Sequence, residues 1–473
     1  MNTLLRNQIV NMAAQQQKRN IVIVGGGIIG CTTAYFLTRH PKFDPAQHTI
    51  TLLEASSIAA GASGKAGGLL ALWAYPECLV PLSYRLHREL ADEHNGAERW
   101  GYRQVGCGTI GAVVKNADLK ARGQGTSTST SDLKEPNDTT AAAPNANLPI
   151  QATDNKDKDS KDWEKLPKQD TAATSLLSES VLPSDLDWVD ASLVRSWDVM
   201  GRRGTTETAQ AHPFHFTNAM ADLAASKGVD IRLGAKVTNI TSSNDSGRVD
   251  TVEYQDRNNS TSGNENEIKT ITDVTDVILT AGPWTGKILP RSKIEGLRAH
   301  SVVYEAEVSP YAVFTDIELP SDWTPEHRRV KGQKRKHRGH VDPEIYARPF
   351  GEVYACGEPD KTIPLPETAD QVQCDEDQCN DLISYISTVS PILASAPVKA
   401  KQACYLPQHV RFGEERGPLI GQTSTPGLWI AAGHTCWGIQ NGPATGLLMS
   451  ELIFDGQAKS ADIDKLDPKK FKV

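Results

Sequence analysis

The sequence predicts an α/β fold with two domains, one of them built on a mostly parallel sheet. A short apolar run, Ile21–Val24, leads directly into the glycines of Gly25–Gly30, and a helix-like pattern follows. Glu54 ends the next apolar run, 24 residues after Gly30. A second apolar run with a glycine-rich turn lies within Gly427–Gly446. The order strand, glycine turn, helix is typical of a Rossmann-like domain.

Length, charge and cysteine usage limit the classes to which this protein can belong. The 473 residues exceed the usual size of one domain, so two domains are expected. The net charge of −8 provides no basic field for nucleic acid. The eight cysteines include no C-x-x-C pair, which predicts free thiols in a reducing, cytoplasmic compartment. No apolar run approaches the ~18 residues of a membrane span, and no grouping of side chains has metal-site spacing.

The first part of the chain reads as one βαβ half-unit. Ile21–Val24 is predicted as a buried strand, Gly30–Arg39 as a helix and His48–Glu54 as the second strand. A further helix is expected over Leu82–His94, and strand-like sequence follows over residues 101–114.

The composition changes sharply over residues 115–180. This stretch contains one aromatic residue, Trp163, and almost no aliphatic pattern. It buries too little apolar surface to offset the entropy lost on ordering, so we predict a disordered insertion.

Ordered sequence resumes after the insertion. Pro213 suits the first turn of a helix that ends at Gly228, and two short strands follow. A hairpin and a buried strand ending at Ala281 come next, and residues 291–395 form a second sheet region. The last helix is expected to have Pro443 at its first position. The resulting domains are a nucleotide-binding domain over 20–100, 205–290 and 401–460, a second domain over 101–204 and 291–400, a flexible tail over 1–19 and a C-terminal tail over 461–473.

The early glycine turn has the spacing of a dinucleotide site. Gly25 allows a tight turn, Gly27 lets the backbone approach a phosphate, and Gly30 lets the helix pack on the strand. The helix N-terminus then faces the pyrophosphate. Glu54 lies where a carboxylate accepts hydrogen bonds from ribose hydroxyls, and it would repel the 2′-phosphate of NADP.

Two further segments favour a longer cofactor than NAD. Gly61–Leu70 is a run of small residues with Ser63 and Lys65, and it follows the ribose carboxylate closely. Gly427–Gly446 and Leu279–Thr285 add two more glycine turns after apolar runs. A chain that returns three times to one extended molecule fits FAD, and an NAD-linked dehydrogenase is the alternative.

These motifs resemble those of the D-amino-acid oxidase superfamily, which includes glycine oxidase and monomeric sarcosine oxidase. The resemblance implies a glutathione-reductase-type FAD domain and a substrate domain on a mixed or antiparallel sheet. It further implies oxidation of an amine or amino acid by hydride transfer to flavin N5, with oxygen as the acceptor. A fungal branch linked to endosomal traffic is the most similar.

The same resemblance implies roles for individual residues. The glycine turn holds the pyrophosphate, Glu54 the ribose and Val237 the adenine, while Lys65 and His434 lie near the flavin. The full cofactor-binding set is Gly25, Gly27, Ile28, Ile29, Gly30, Glu54, Ala55, Ser63, Gly64, Lys65, Ala66, Gly67, Val237, Ala281, Gly282, Trp284, Gly433, His434, Trp437, Gly438, Ile439 and Gln440.

The substrate residues depart from the family pattern. Many relatives bind a substrate carboxylate with an arginine, and Leu406 occupies the corresponding place here, with Arg411 nearby. We therefore predict that Arg348 binds the substrate instead, with Tyr346 on the same face of the strand. Lys65, Tyr346, Arg348 and His434 are therefore the candidate catalytic residues.

Several alternatives stay open at this stage. Cys404 is either a free thiol or the site of a covalent flavin link, and FAD is otherwise bound non-covalently. The basic run His327–His340 is either a solvated loop or a contact for anionic lipid or a protein. The alternative function is a flavin-binding trafficking or scaffold protein with weak catalysis. We expect a monomer that takes a small amine or amino acid. Its expected location is the cytoplasm, with association with late endosomes as the second option.

Overall fold

The computed structural model describes residues 18–122, 181–201, 207–258 and 267–473. Residues 1–17 of the predicted tail and residues 123–180 of the predicted insertion lie outside these ranges. The start of that insertion forms a short helix, Asn116–Ala121.

Twenty-one strands and ten α-helices are present within the described ranges. The strands are β1 Arg19–Val24, β2 His48–Glu54, β3 Leu69–Ala71, β4 Arg103–Gln104, β5 Gly106–Val113, β6 Val194–Val199, β7 Thr208–Gln210, β8 Asp230–Leu233, β9 Ala235–Ser242, β10 Val249–Asp256, β11 Ile268–Ile271, β12 Asp276–Leu279, β13 Ile294–Glu305, β14 Tyr311–Glu318, β15 His340–Val341, β16 Glu344–Arg348, β17 Glu352–Cys356, β18 Val398–Arg411, β19 Glu414–Arg416, β20 Leu419–Gln422 and β21 Leu428–Ala432. The helices are α1 Ile28–Leu37, α2 Val80–Glu93, α3 Gly96–Trp100, α4 Asn116–Ala121, α5 Pro213–Ala225, α6 Thr285–Ile288, α7 Glu326–Val330, α8 Glu376–Val389, α9 Pro391–Ser395 and α10 Gly438–Asp455.

A six-stranded sheet forms the centre of the first domain. Its strand order is β20-β21-β12-β1-β2-β8, and every pair except β20 with β21 is parallel. Successive side chains of β1 point to opposite faces of the sheet, and both faces are buried. Ile21 and Ile23 pack in the core shared with the helices, whereas Val22 and Val24 pack in the core shared with the β9–β11 sheet.

A nine-stranded sheet forms the second domain. Its strands run in the order β19-β18-β13-β17-β16-β14-β5-β6, and β15 pairs with β14. Only β14 and β5 are parallel among these pairs, so the sheet is mixed. The predicted fold class, a Rossmann-like α/β domain with a second domain on a mixed or antiparallel sheet, is confirmed.

Two predicted boundaries differ from the structure. The boundary at residue 401 falls inside β18, which belongs to the nine-stranded sheet as far as Arg411. Residues 461–473, predicted as a C-terminal tail outside the domains, pack against the first domain and β18. They contain two short 3₁₀ turns, Val473 is buried, and the Phe471 ring lies 4.9 Å from that of His409. The few apolar residues that anchor this segment form no pattern from which its packing could be recognised in the sequence.

The predicted position of Pro443 is wrong, because this proline lies inside α10 rather than at its first position. A proline in a helix interior leaves the carbonyl four residues earlier without its donor. That carbonyl belongs to Ile439, and the buried His87 Nε2 lies 2.9 Å from its oxygen. Burial lowers the pKa of His87 to about 4, so the ring is neutral and donates from Nε2. A side chain of α2 therefore replaces the missing backbone donor of α10.

We predict that the cost of losing His87 depends on Pro443. The variant His87→Leu should lose about 1–3 kcal/mol of unfolding free energy, because the Ile439 carbonyl is left buried and unpaired. In the Pro443→Ala background the new N–H group can bind that carbonyl, so the same change should cost clearly less. Denaturant unfolding of the four proteins measures both costs, and equal costs would contradict this explanation.

Candidate functional site

One cavity of about 640 Å³ lies at the carboxyl ends of the parallel strands. In open α/β sheets this edge is where ligands bind. The ends of β1, β2, β12 and β21 form one part of the wall, through Val24, Glu54, Thr280 and Ala432. The nine-stranded sheet forms the opposite part, so the cavity lies between the two domains. Its volume is within the range of small-molecule sites.

The early glycine turn has a geometry that larger residues would not tolerate. Gly25 has a φ of +112°, and its N–H group donates to the Leu53 carbonyl over 2.8 Å. A Cβ on Gly30 would lie 2.0 Å from the Gly25 carbonyl oxygen. The turn can therefore close only with glycine at these positions, which brings the start of α1 next to the end of β1.

The start of α1 faces the cavity through Ile28 and Ile29. Gly27 precedes the helix without a side-chain cap, and the Ile28 N–H group donates to Ser63 Oγ over 2.9 Å. The remaining N–H groups of a first helical turn have no partner within the helix. They suit a phosphate, because the positive end of the helix dipole adds to their attraction for an anion.

Glu54 is fixed beside this turn by three donors. Its Oε2 accepts from the Gly26 N–H group over 2.7 Å, and its Oε1 accepts from the N–H and hydroxyl groups of Ser56. A carboxylate has about four lone-pair sites, so it retains capacity for a ribose hydroxyl. Glu54 also lines the cavity.

Most predicted cofactor-binding residues line this one cavity, and three do not. Those outside its wall are Gly30, Gly64 and Gln440. Gly64 fits a tight turn, since a Cβ there would lie 2.2 Å from the Ala59 carbonyl oxygen. Gln440 accepts from the Ala71 N–H group over 2.7 Å, so it supports β3 rather than a ligand. The predicted residues in the wall are Gly25, Gly27, Ile28, Ile29, Glu54, Ala55, Ser63, Lys65, Ala66, Gly67, Val237, Ala281, Gly282, Trp284, Gly433, His434, Trp437, Gly438 and Ile439.

Lys65 and His434 both line the cavity and are held by polar partners. Lys65 Nζ donates to the Ala403 carbonyl over 2.9 Å, which ties it to β18. His434 Nε2 lies 3.0 Å from Thr445 Oγ1. Burial lowers the pKa of His434 to about 3, so the ring is neutral. It can orient a ligand through hydrogen bonds, but it carries no positive charge.

Tyr346 and Arg348 have different positions although both lie on β16. Tyr346 lines the cavity and packs over Gly67, where a Cβ would lie 2.1 Å from its ring. Arg348 lies outside the cavity wall, and its guanidinium binds Glu352 and the Ala66 carbonyl. The predicted substrate arginine is thus part of a buried ion pair that supports the loop containing Ala66.

Three side chains bind the Glu352 carboxylate of this ion pair. Burial would raise the pKa of Glu352, but His212, Arg348 and Lys399 bind this carboxylate and lower its pKa far below the usual range. The sequence could not reveal this pairing, because Glu352 looks like any polar residue of a hairpin. Arg411 is no substitute, since it binds the backbone carbonyls of Arg291 and Phe471.

Leu406 and Cys404, which the sequence predicts near the substrate and the flavin, both lie at the cavity. Both line the cavity from β18. Burial raises the pKa of the Cys404 thiol to about 11, while nearby Lys65 opposes this rise. The thiol is therefore neutral at physiological pH, and the thiolate is the nucleophilic form of cysteine.

Sequence reasoning missed an aromatic part of the wall. Trp73, Phe314 and Tyr354 line the cavity together with the predicted Tyr346 and Trp437. The Trp73 Nε1 is buried without a hydrogen-bond partner in the described part of the chain. Glu344 and Cys356 were missed as well: Glu344 lies two residues before Tyr346 on β16, and Cys356 lies two residues after Tyr354 on β17. Only the alternation of β16 and β17 could have indicated them.

Part of the basic run His327–His340 is engaged in internal contacts. Arg328 is buried and binds Asp381 on α8 through two bonds of 2.5 Å. Lys331 binds Asp377 of the same helix, and Arg329 binds Glu326. Three of the seven lysines and arginines in this run therefore pair with carboxylates. No helix among the described residues is long and apolar enough to cross a membrane.

The geometry of the cavity fits FAD. Glycines that tolerate no Cβ close the turn beside the N-terminus of α1, where a pyrophosphate would be held, and Glu54 lies next to it. The opposite end is apolar, aromatic and large enough for a flat ring system. Its unpartnered Trp73 Nε1 is a buried donor for which a ligand can supply the acceptor.

Comparison with known proteins supports this assignment. Residues 20–452 match the family described as "FAD dependent oxidoreductase". The Saccharomyces cerevisiae protein named "Putative oxidoreductase TDA3" is 37% identical, over 96% of this chain and 94% of its own length.

Solved structures share the fold at low identity. Glycine oxidase from Bacillus cereus has a TM-score of 0.56 at 18% identity and covers 93% of this chain and 96% of its own. L-proline dehydrogenase from P. horikoshii has a TM-score of 0.57 at 16% identity and covers 96% of this chain and 98% of its own. With the match over residues 20–452, these findings establish that the chain belongs to the D-amino-acid oxidase (DAO) family of FAD-dependent oxidoreductases.

Proposed function

We propose that this protein oxidises an amine or amino acid with FAD as its bound redox group. One observation carries the proposal: a single cavity joins the glycine turn of the parallel sheet to an aromatic end closed by the second sheet. Glycine oxidase and L-proline dehydrogenase, which share the fold, bear the names of enzymes that act on amino acids. Both names are consistent with a substrate that contains an oxidisable carbon–nitrogen bond.

Bound FAD supplies the acceptor for the two electrons that leave the carbon next to the nitrogen. The residues of the chain would hold it in an extended form. Gly25, Gly27 and the first turn of α1 would bind the pyrophosphate, Glu54 the ribose and Val237 the adenine side. The loop around Lys65 and the turn around His434 would flank the redox end.

The chain's own residues would prepare the substrate rather than act on it covalently. Tyr346 and Trp437 line the aromatic end, where their rings would limit the access of water to the substrate. Neutral His434 can donate or accept a hydrogen bond without adding charge. Lys65 is the one lysine in the wall beside β18, and its positive charge would stabilise electron density that builds up on the redox group.

Oxygen is the acceptor we propose for the reduced protein, as in the oxidases of the family. The trafficking or scaffold function stays the alternative: its basic run is partly paired internally, and the described cavity wall contains no arginine for a substrate carboxylate. We also propose that FAD is bound non-covalently, since the Cys404 thiol is neutral.

The ribose role of Glu54 predicts a loss of FAD affinity in Glu54→Gln. This change removes charge-assisted hydrogen bonds worth about 1.5–3 kcal/mol, so the Kd for FAD should rise roughly 10- to 100-fold. Titration of the apo-protein with FAD measures it. Glu89→Gln on the exposed face of α2 removes the same charge and should leave the Kd unchanged. An unchanged Kd in Glu54→Gln would contradict the proposed contact between Glu54 and the ribose.

Non-covalent binding predicts that acid releases all of the FAD. After precipitation of the holoprotein with acid, the yellow colour should remain in the supernatant. A Cys404→Ser variant should behave in the same way and keep its FAD content. Colour that stays with the wild-type pellet and leaves it in Cys404→Ser would demonstrate a covalent link at this thiol.

The proposed reaction predicts that amines bleach the flavin in the absence of oxygen. The panel contains secondary alkylamines, sarcosine and D-amino acids, mixed with holoprotein under nitrogen and followed by visible absorbance. At least one amine should reduce the flavin, and air should restore the colour. A flavin that dithionite bleaches but no amine does would contradict the proposal.

A further inference from the structure

A carboxylate without a cationic partner among the described residues lies in the aromatic end of the cavity. Glu344 begins β16 and lines the cavity wall. Its Oε2 accepts from the Tyr346 hydroxyl and, over 3.8 Å, from the Cys356 thiol. Both bonds use the same oxygen, so Oε1 has no hydrogen-bond or ion-pair partner among the described residues. This oxygen is available to a ligand.

The cations around the cavity are engaged elsewhere. Their partners are the Ala403 carbonyl for Lys65, Glu352 for Arg348, and Glu367 for both Lys236 and Lys287. Leu406, at the place where the family resemblance implies a substrate-binding arginine, contributes a neutral side chain to the cavity wall. The aromatic end therefore has a free carboxylate oxygen and no free arginine within the described residues.

Aromatic rings surround the same end of the cavity. The Phe314 ring lies 5.8 Å from Tyr346 and 6.0 Å from Trp73, measured between centroids. The Trp73 ring lies 5.7 Å from Trp437, and Tyr346 stacks on Tyr354 at 6.0 Å. Ring faces attract organic cations, and the attraction is stronger where water is excluded.

A carboxylate in these apolar surroundings is energetically unfavourable without a cationic partner. Moving a carboxylate from water into apolar surroundings costs free energy unless a cation or further donors compensate for it. Burial accordingly raises the pKa of the Glu344 carboxyl. A cation seated between Oε1 and the rings would offset this cost. A substrate carboxylate would instead meet a like charge and no arginine.

We propose that Glu344 and the rings of Trp73, Phe314 and Tyr346 form a cation subsite that binds the positively charged nitrogen of the substrate. The substrate class is then organic amines without a carboxylate, rather than simple amino acids. This inference rests on the proposed function, because it treats the bound cation as the amine substrate.

Three small molecules of similar size test the subsite on FAD-loaded protein. Choline carries the trimethylammonium cation, 3,3-dimethylbutanol is its neutral carbon analogue, and glycine betaine adds a carboxylate to the same cation. Calorimetry should show that choline binds at least about tenfold more tightly than either of the others. Absence of choline binding, or equal affinity for the neutral alcohol, would overturn the proposal.

Two variants identify the groups that recognise the cation. Glu344→Gln keeps the shape and removes the charge, so the preference for choline over the neutral alcohol should fall to within about twofold. Glu305→Gln removes one charge from the exposed end of β13 in the same sheet and should retain the full preference. Trp73→Leu tests the rings independently and should also lower the preference. A full preference in both Glu344→Gln and Trp73→Leu would overturn the proposal.

The failure of this inference and that of the proposed function give different results. A cation preference without flavin reduction by any amine would support the subsite and contradict the proposed amine oxidation. Flavin reduction by amines without a cation preference would support the oxidation and remove the subsite.

Discussion

The close approach of α1 to the end of β1 is the constraint on which the rest of the structure depends. It exists only because Gly30 has no Cβ, which would lie 2.0 Å from a backbone oxygen. Glycines of α10 allow a second close approach, in this case to α1. Cβ atoms on Gly442 and Gly446 would lie 2.7 Å and 2.6 Å from atoms of α1. Glycine contacts thus join the early turn to the late helix. They bring the His434 turn close to the start of α1, since a Cβ on Gly438 would lie 3.9 Å from both His434 and Ile28.

Two buried polar side chains support this arrangement, and one of them, Arg348, was predicted from the sequence to bind the substrate. Arg348 binds the Ala66 carbonyl and so holds the loop that lines the cavity beside Tyr346. His87 binds the Ile439 carbonyl that Pro443 leaves without a donor at the start of α10. In both cases a buried side chain satisfies a backbone carbonyl near the cavity, which keeps the wall rigid without taking part in binding.

The nucleotide half of the site could be predicted from the sequence because it is local. Strand, glycine turn and helix follow one another within Ile21–Leu37, and Glu54 lies at the end of the adjacent strand. The aromatic half could not be predicted in the same way. Phe314 and Tyr346 come together only through the pairing of β14 with β16, in which Ala312 faces Tyr346. Trp73 reaches them from a different domain, and no short spacing indicates such contacts.

The central claim is that this cavity holds one FAD, with its pyrophosphate at the glycine turn and its redox end among the aromatic residues. The visible spectrum of the freshly purified protein, combined with the amount of FAD released on denaturation, tests it most directly. The account predicts a yellow protein with close to one FAD per chain. A folded, colourless protein that takes up no added FAD would contradict it.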